Sequence, residues 1–307
     1  MLFPLPERPE SSAGAWRWDR AEGRHLALIG PSGEVWRFRC ARGLDHAYFH
    51  PLGTIDGRVL TADHPPDHVW HHGLWFSWKT IDKINYWEVE AETGRPAGRT
   101  SWKPARIQTR KDGSARVTLA LDYRPAGAPK PVLTERRTLE ISAPGPDGGY
   151  AIDWKCDFRA AKDLVLDRTP LLGEPDGRVN GGYAGLALRL SGGLEDLRLM
   201  TDQGPAPEFQ SDRYRGRHIG LDYSGLAGGE PAGIAILDHP SNPRSPVAWY
   251  VVHTKVMSFL NPALLSPAPL PLRAGARTTL RYRILVHPGR WDAARLKAES
   301  ARFARIR

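Results

Sequence analysis

Cysteine is almost missing: the 307 residues contain only Cys40 and Cys156. That excludes a disulfide-stapled scaffold, and neither residue stands at the spacing of a cysteine zinc site. A membrane-length apolar run is missing as well, so no transmembrane helix is expected. The opening stretch MLFPLPERPESSAGAW lacks a basic start followed by an apolar core and does not read as a signal peptide. A reduced, cytoplasmic protein is the expectation. Blocks of consecutive basic residues are absent too. The net charge of +9 comes from arginines scattered among carboxylates, which describes a solvated surface and not a nucleic-acid footprint. Neither nucleic acid nor a membrane is expected as a partner, no internal repeat points to a solenoid, and nothing speaks to oligomeric state.

What is present is period two. In YAIDWKCDF, Tyr150, Ile152, Trp154, Cys156 and Phe158 alternate with polar or small residues, the pattern of a half-buried strand. EVWRFRC sets Trp36, Phe38 and Cys40 against Arg37 and Arg39. TLRYRILVH turns Leu280, Tyr282, Ile284 and Val286 inward. RVTLALDY, TERRTLEIS, GLALRLS, AGIAILDH and VAWYVVHTK add strands, separated by hairpin punctuation such as RKDGS and SGLAGGE. Only the C-terminus reads as helix, capped by Asp292, with Ala293, Leu296, Ser300 and Phe303 on one stripe. Without strand–helix alternation, an antiparallel sandwich is expected, formed by residues 1–307 as one domain. The proline-rich NPALLSPAPLPLRAG reads as a loop.

The densest polar stretch is DHPPDHVWHHGLWFSW, Asp63 to Trp78, with four histidines, two aspartates and three tryptophans in sixteen residues. Imidazoles at His68, His71 and His72 could gather round a divalent metal through a turn, although HxxHH lacks the helical spacing of a zincin. They could equally do proton transfer, because histidine titrates near neutrality, with Asp67 orienting one ring. Trp75 and Trp78 would offer flat faces for a sugar, or would simply be core. On an extended chain His71 shares a face with Trp75, and His72 shares the other with Phe76 and Trp78.

Two loops have similar polar density. LLGEPDGRVNGGYAGLALRL carries Glu174, Asn180, Tyr183 and Arg189, and LDHPSNPRSPVAWYVVH carries His239, Asn242, Arg244 and Trp249. His50, before a proline, joins them. Loop residues converging at one end of a sandwich are a common way to build a site.

YFHPLGTIDGRVLT, DHPPDHVWHHGLWFSW, YAGLALRL, ILDHPSNPRSPVAWYV and LRYRILVHPG together resemble the PmoA-like bacterial family of unknown function, which carries a methane-oxygenase label. The resemblance implies a galactose-mutarotase-like β-supersandwich and a place in sugar catabolism. Aldose mutarotases carry His-Gly-Gly followed by a tryptophan; here His72-Gly73 and Trp87 match, while Leu74 replaces the second glycine.

The expected protein is therefore an all-β, antiparallel β-supersandwich with a short C-terminal helix. It would act on a sugar or glycoside by histidine–carboxylate acid–base chemistry: epimerisation, anomerisation, or cleavage by hydrolysis or elimination. The catalytic candidates are His68, His71, His72, Asp67, Glu174 and His239. The substrate-binding candidates are His50, Trp75, Trp78, Asn180, Tyr183, Arg189, Asn242, Arg244 and Trp249. No cofactor is required, a divalent metal on His68, His71 and His72 being the variant. A non-catalytic carbohydrate-binding protein is the other alternative.

Overall fold

A computed structural model describes residues 16–306. The opening stretch read against a signal peptide lies outside the described residues. Two large antiparallel sheets pack face to face. One has nine strands, in the order Arg17–Ala21, His25–Gly30, Gly33–Arg39, Tyr48–Leu52, Leu74–Ser77, Gly185–Arg189, Ser258–Pro262, Ala248–His253 and Arg213–Arg217. The other has ten on its main path, centred on Tyr150–Ala160 and Arg277–Pro288, whose pairing runs from Tyr150 opposite Val286 to Arg159 opposite Arg277. A four-stranded sheet joins Leu270–Leu272, Leu164–Asp167, Thr80–Ile81 and Ile84–Asn85. The antiparallel sandwich expected from the strand pattern is the architecture that forms.

The two large sheets solve burial differently. The ten-stranded sheet has one dry and one wet face along its central strands: Tyr150, Ile152, Trp154, Cys156 and Phe158 are buried, and the residues between them are not. Alternation in the sequence reports that geometry directly. The nine-stranded sheet is apolar on both faces. Phe49, Leu74, Phe76, Leu188, Trp249 and Leu260 point into the sandwich core, while Tyr48, Trp75, Ala187, Tyr250, Val252 and Phe259 form a second apolar cluster on its outer face. That outer cluster underlies the candidate site.

The core also holds an ion pair that alternation did not reveal. Glu135 and Arg137, 3% and 1% exposed, face inward from Leu133–Ile141, with Arg137 Nε 2.6 Å from Glu135 Oε1 and its guanidinium 5.0 Å from the Trp154 ring. Cys40 and Cys156 are buried free thiols. The C-terminal helix is Ala293–Phe303, with Asp292 accepting from the Arg295 N–H at 2.7 Å as the N-cap expected, and Leu296 and Phe303 packing on Ala235 and Leu237. NPALLSPAPLPLRAG is not wholly loop, since Ser258–Pro262 runs into it and Leu270–Leu272 forms a strand within it. No helix among the described residues is long and apolar enough to cross a membrane.

Candidate functional site

The Asp63–Trp78 stretch folds back on itself before its strand begins. His64 N–H donates to the His71 carbonyl at 2.9 Å, and Pro65 and His68 carbonyls accept from His68 and His71 within the turn. Gly73 then passes so close to the neighbouring strand that a Cβ there would sit 2.3 Å from the Phe49 carbonyl oxygen, so only glycine fits. The strand proper is Leu74–Ser77. The bend puts both His71 and His72 on the outer face. His71 lies 5.2 Å from Trp75 and stacks on Phe259, and His72 stacks on Tyr48 at 4.3 Å. The opposite-face expectation for His72 is thereby corrected: alternation starts at Leu74 and not at His71.

Two carboxylate–imidazole groups result. In the first, Asp63 Oδ1 lies 2.9 Å from His64 Nδ1 and 3.2 Å from His72 Nδ1, while Asp63 Oδ2 accepts from the Tyr48 hydroxyl at 3.0 Å. Burial alone would raise the Asp63 carboxyl, but the bonds from His64 and His72 outweigh it and hold the group well below the usual carboxylate range. His64, whose side chain is 52% exposed, is raised by its bond to Asp63. Burial lowers His72, with Asp63 opposing. His46 packs edge-on to His72 and is lowered well below normal by burial and then by its charged neighbours. His50 borders this group, its Nδ1 3.0 Å from Thr61 Oγ1.

In the second group, His68 Nδ1 lies 2.9 Å from Asp67 Oδ2, and Arg189 Nη2 donates to Asp67 and to the Val256 carbonyl. Burial would raise Asp67, but the bonds from His68 and Arg189 lower it overall. His71 stacks on His68 at 4.5 Å and lies under the Arg189 guanidinium, and burial first and these neighbours second push it well below the ordinary imidazole value. Half-buried Trp70 stands edge-on to His68 at 5.3 Å. The metal set His68, His71 and His72 does not converge: the first faces Asp67, the second a guanidinium, the third Asp63.

A third polar network lies on the same face, and of its hydrogen-bonded members only Tyr183 is among the expected site residues. Glu88 binds Lys79, Asn85 and the Tyr183 hydroxyl, beside Trp87, which packs between Trp75 and Tyr183. Burial lowers Lys79, with Glu88 opposing. Within KTIDKINYWEVE only Trp87 carries a signal, and the charges of Lys79 and Glu88 are those of an ordinary turn; His64 and Asp63, by contrast, stand in the histidine-dense stretch itself, just ahead of the HxxHH spacing.

The remaining expected site residues are buried, committed to other partners or set apart from this face. Trp75 and Trp78 are both fully buried, and Trp249 is core with its indole N–H on the His218 carbonyl, so none is a sugar platform. His239 is bonded to Ser241 and the Ile306 carbonyl under the C-terminal helix. Asn242 clamps Asp238 and both main-chain groups of Arg281. Arg244 caps the carbonyls of Leu264, Ala268 and Pro269. Glu174 closes its own loop through Arg168 and the Leu171 N–H, and Asn180 is exposed on that loop. Arg189 is 2% exposed, with Nη1 against His71 and Nη2 bonded to Asp67 and the Val256 carbonyl while Nε has no partner, so it holds the Asp67 loop and does not face a ligand. Of the substrate-binding candidates, His50 and Tyr183 remain on the outer face.

A cleft of about 910 Å³ lies on the far side of the sandwich, over the outer face of the ten-stranded sheet, lined by residues such as Arg124, Arg136, Asp157 and Arg159. It has size but no imidazole, whereas the histidine face carries the groups able to move a proton near neutrality.

An antiparallel sandwich whose outer sheet face carries paired carboxylates and imidazoles over an aromatic floor is the class that fold and site define. The chain belongs to the family described as a family of unknown function (DUF6807), whose profile matches residues 32–301. No curated protein matches it. Among solved structures, the alpha-galactosidase from Lactobacillus brevis is similar at TM-score 0.43 and 10% identity, over 95% of this chain and 42% of that one. The galactose mutarotase related enzyme from Lactobacillus acidophilus is similar at 0.39 and 8% identity, over 89% of this chain and 97% of that one. The GH36 alpha-galactosidase AgaA from Geobacillus stearothermophilus, in complex with raffinose, is similar at 0.40 and 10% identity, over 90% of this chain and 41% of that one. The chain spans about two fifths of these galactosidases' length. At this level of likeness nothing about activity carries over.

Proposed function

We propose that the protein is an enzyme acting on a sugar or glycoside by acid–base chemistry on the outer face of the nine-stranded sheet. The observation that supports this best is the Asp67–His68 pair beside Trp70. The carboxylate, held by Arg189, fixes the orientation of a partly exposed imidazole, and the indole next to it offers a flat apolar surface to the C–H face of a sugar ring. His68 is the proton-transfer group in this reading, Asp67 and Arg189 its positioning residues, and Asp63, His64 and His72 the second polar group facing the ligand. Epimerisation, anomerisation and glycoside cleavage all need groups of this kind. Two buried free thiols suit a reducing, cytoplasmic setting.

The test is a panel of mono- and disaccharides and their keto derivatives, followed by NMR or mass spectrometry, with wild type and His68→Gln. Turnover of one panel member is expected, falling by about two to four orders of magnitude in the variant at unchanged melting temperature. Full turnover by His68→Gln overturns the assignment. Binding without turnover by wild type favours a carbohydrate-binding protein, which would keep Trp70 and need no proton-transfer group.

A further inference from the structure

We propose that Asp63, His64 and His72 form a binding site for a divalent first-row transition metal ion. Their donor atoms all lie within 4.8 Å of one another, the one such group of histidine, cysteine and carboxylate side chains among the described residues. Both imidazoles present Nδ1 to the same carboxylate oxygen, at 2.9 and 3.2 Å. Ligands that share one ion at about 2.0–2.2 Å stand roughly 3 Å apart along the edges of its coordination polyhedron, so these three need little movement to close on it. Two nitrogens and one carboxylate oxygen suit zinc, iron or manganese and not calcium, which takes an all-oxygen shell.

The surroundings are those of a ligand set. The Tyr48 hydroxyl holds the other oxygen of Asp63 at 3.0 Å, leaving Oδ1 for the ion, the kind of outer bond that orients a ligating carboxylate. His64 adopts φ +49, a left-handed conformation that a non-glycine residue keeps only when its neighbours impose it, and here the bond to the His71 carbonyl does so and sets His64 beside His72. Only three protein ligands meet, and the His64 side chain is half exposed, so an ion would keep open positions towards solvent. That is the form of a catalytic and not a structural site. A bound ion would polarise a hydroxyl or carbonyl oxygen of a ligand on this face. The inference goes beyond the sugar reading, because metal binding is measured without any substrate and the two can fail separately.

The experiment strips the full chain with a chelator and titrates it with Zn²⁺ and with Mn²⁺ by calorimetry, with elemental analysis of the reloaded protein. One ion per chain is expected, with a raised melting temperature. His64→Gln, at a half-exposed position that tolerates change, is expected to weaken binding at least about 100-fold, and Tyr48→Phe about 10-fold. His68→Gln, in the neighbouring group, is expected to bind as wild type does. No binding of either ion by wild type, or equal binding by wild type and His64→Gln, overturns the proposal and leaves a hydrogen-bonded cluster only.

Discussion

Arg189 and Asp67, 122 residues apart in the chain, are joined by one guanidinium nitrogen that lies 2.8 and 2.9 Å from the two carboxylate oxygens. The same nitrogen donates to the Val256 carbonyl at 2.6 Å. A strand of the sheet thus pins the loop that carries His68.

Removing that pin by Arg189→Met leaves the Asp67 carboxylate without its cation. Breaking a buried pair costs about 3–5 kcal/mol. The Asp67 side chain is 24% exposed, so the lower end, about 3 kcal/mol, is expected in urea unfolding. An effect under about 0.5 kcal/mol, typical of a surface pair, would contradict the structural role.

Trp75 and Trp70 are expected to behave oppositely. Trp75 is fully buried against Trp87 and Phe259, and Trp75→Ala should cost about 3–5 kcal/mol. Half-buried Trp70 lies at the edge of that cluster, and Trp70→Ala should keep the fold while losing affinity for a sugar ligand. Melting temperatures and binding isotherms of the two variants decide it; equal destabilisation would remove Trp70 from the ligand surface.

Stability should fall as pH drops below about 6.5. His46 and His71 are lowered well below that ordinary imidazole value, first of all by burial. In acid the unfolded chain binds protons that the folded chain refuses, so the unfolded state gains, with a slope of up to about 1.4 kcal/mol per pH unit for each histidine. His64, raised by Asp63, has the other sign: its contribution is complete in acid and is lost as pH rises through its folded value. Urea unfolding of the metal-free protein at pH 5.5, 6.5 and 7.5 should show the loss on the acid side, and His71→Gln should flatten it. A profile independent of pH would contradict the burial argument.

The Glu135–Arg137 pair in the core offers a different contrast. Arg137→Met alone strands a buried carboxylate that otherwise binds the guanidinium and the Tyr123 hydroxyl, and about 3–5 kcal/mol should be lost. The double variant Glu135→Leu, Arg137→Met should recover most of that loss, because both desolvated charges leave together. A double variant no better than the single would mean that the pair contributes net stability beyond its desolvation cost.

Local order was legible where one side of an element is wet. Tyr150–Ala160 and Arg277–Pro288 alternate because only one face of their sheet is dry, and the C-terminal helix shows its Asp292 cap and its buried stripe within a few residues. Leu74–Ser77 is buried on both faces, so nothing in its composition separates outward Trp75 from inward Phe76 or tells a core indole from a ligand surface.

The amino-acid sequence by itself determined the antiparallel architecture and the place where imidazoles and carboxylates concentrate, because strand period and residue density are properties of neighbours along the chain. Only the tertiary structure decided which histidines meet which carboxylates. Gly73 lets the chain pass close to the next strand because the Phe49 carbonyl leaves no room for a side chain, and the turn before it, closed by the His64 N–H on the His71 carbonyl, brings His72 to Asp63 and Tyr48. The same long-range packing commits Asn242 to the main chain of Arg281 and His239 to the C-terminal segment. Partners far apart in sequence settle a polar residue's role, and periodicity carries no information about them.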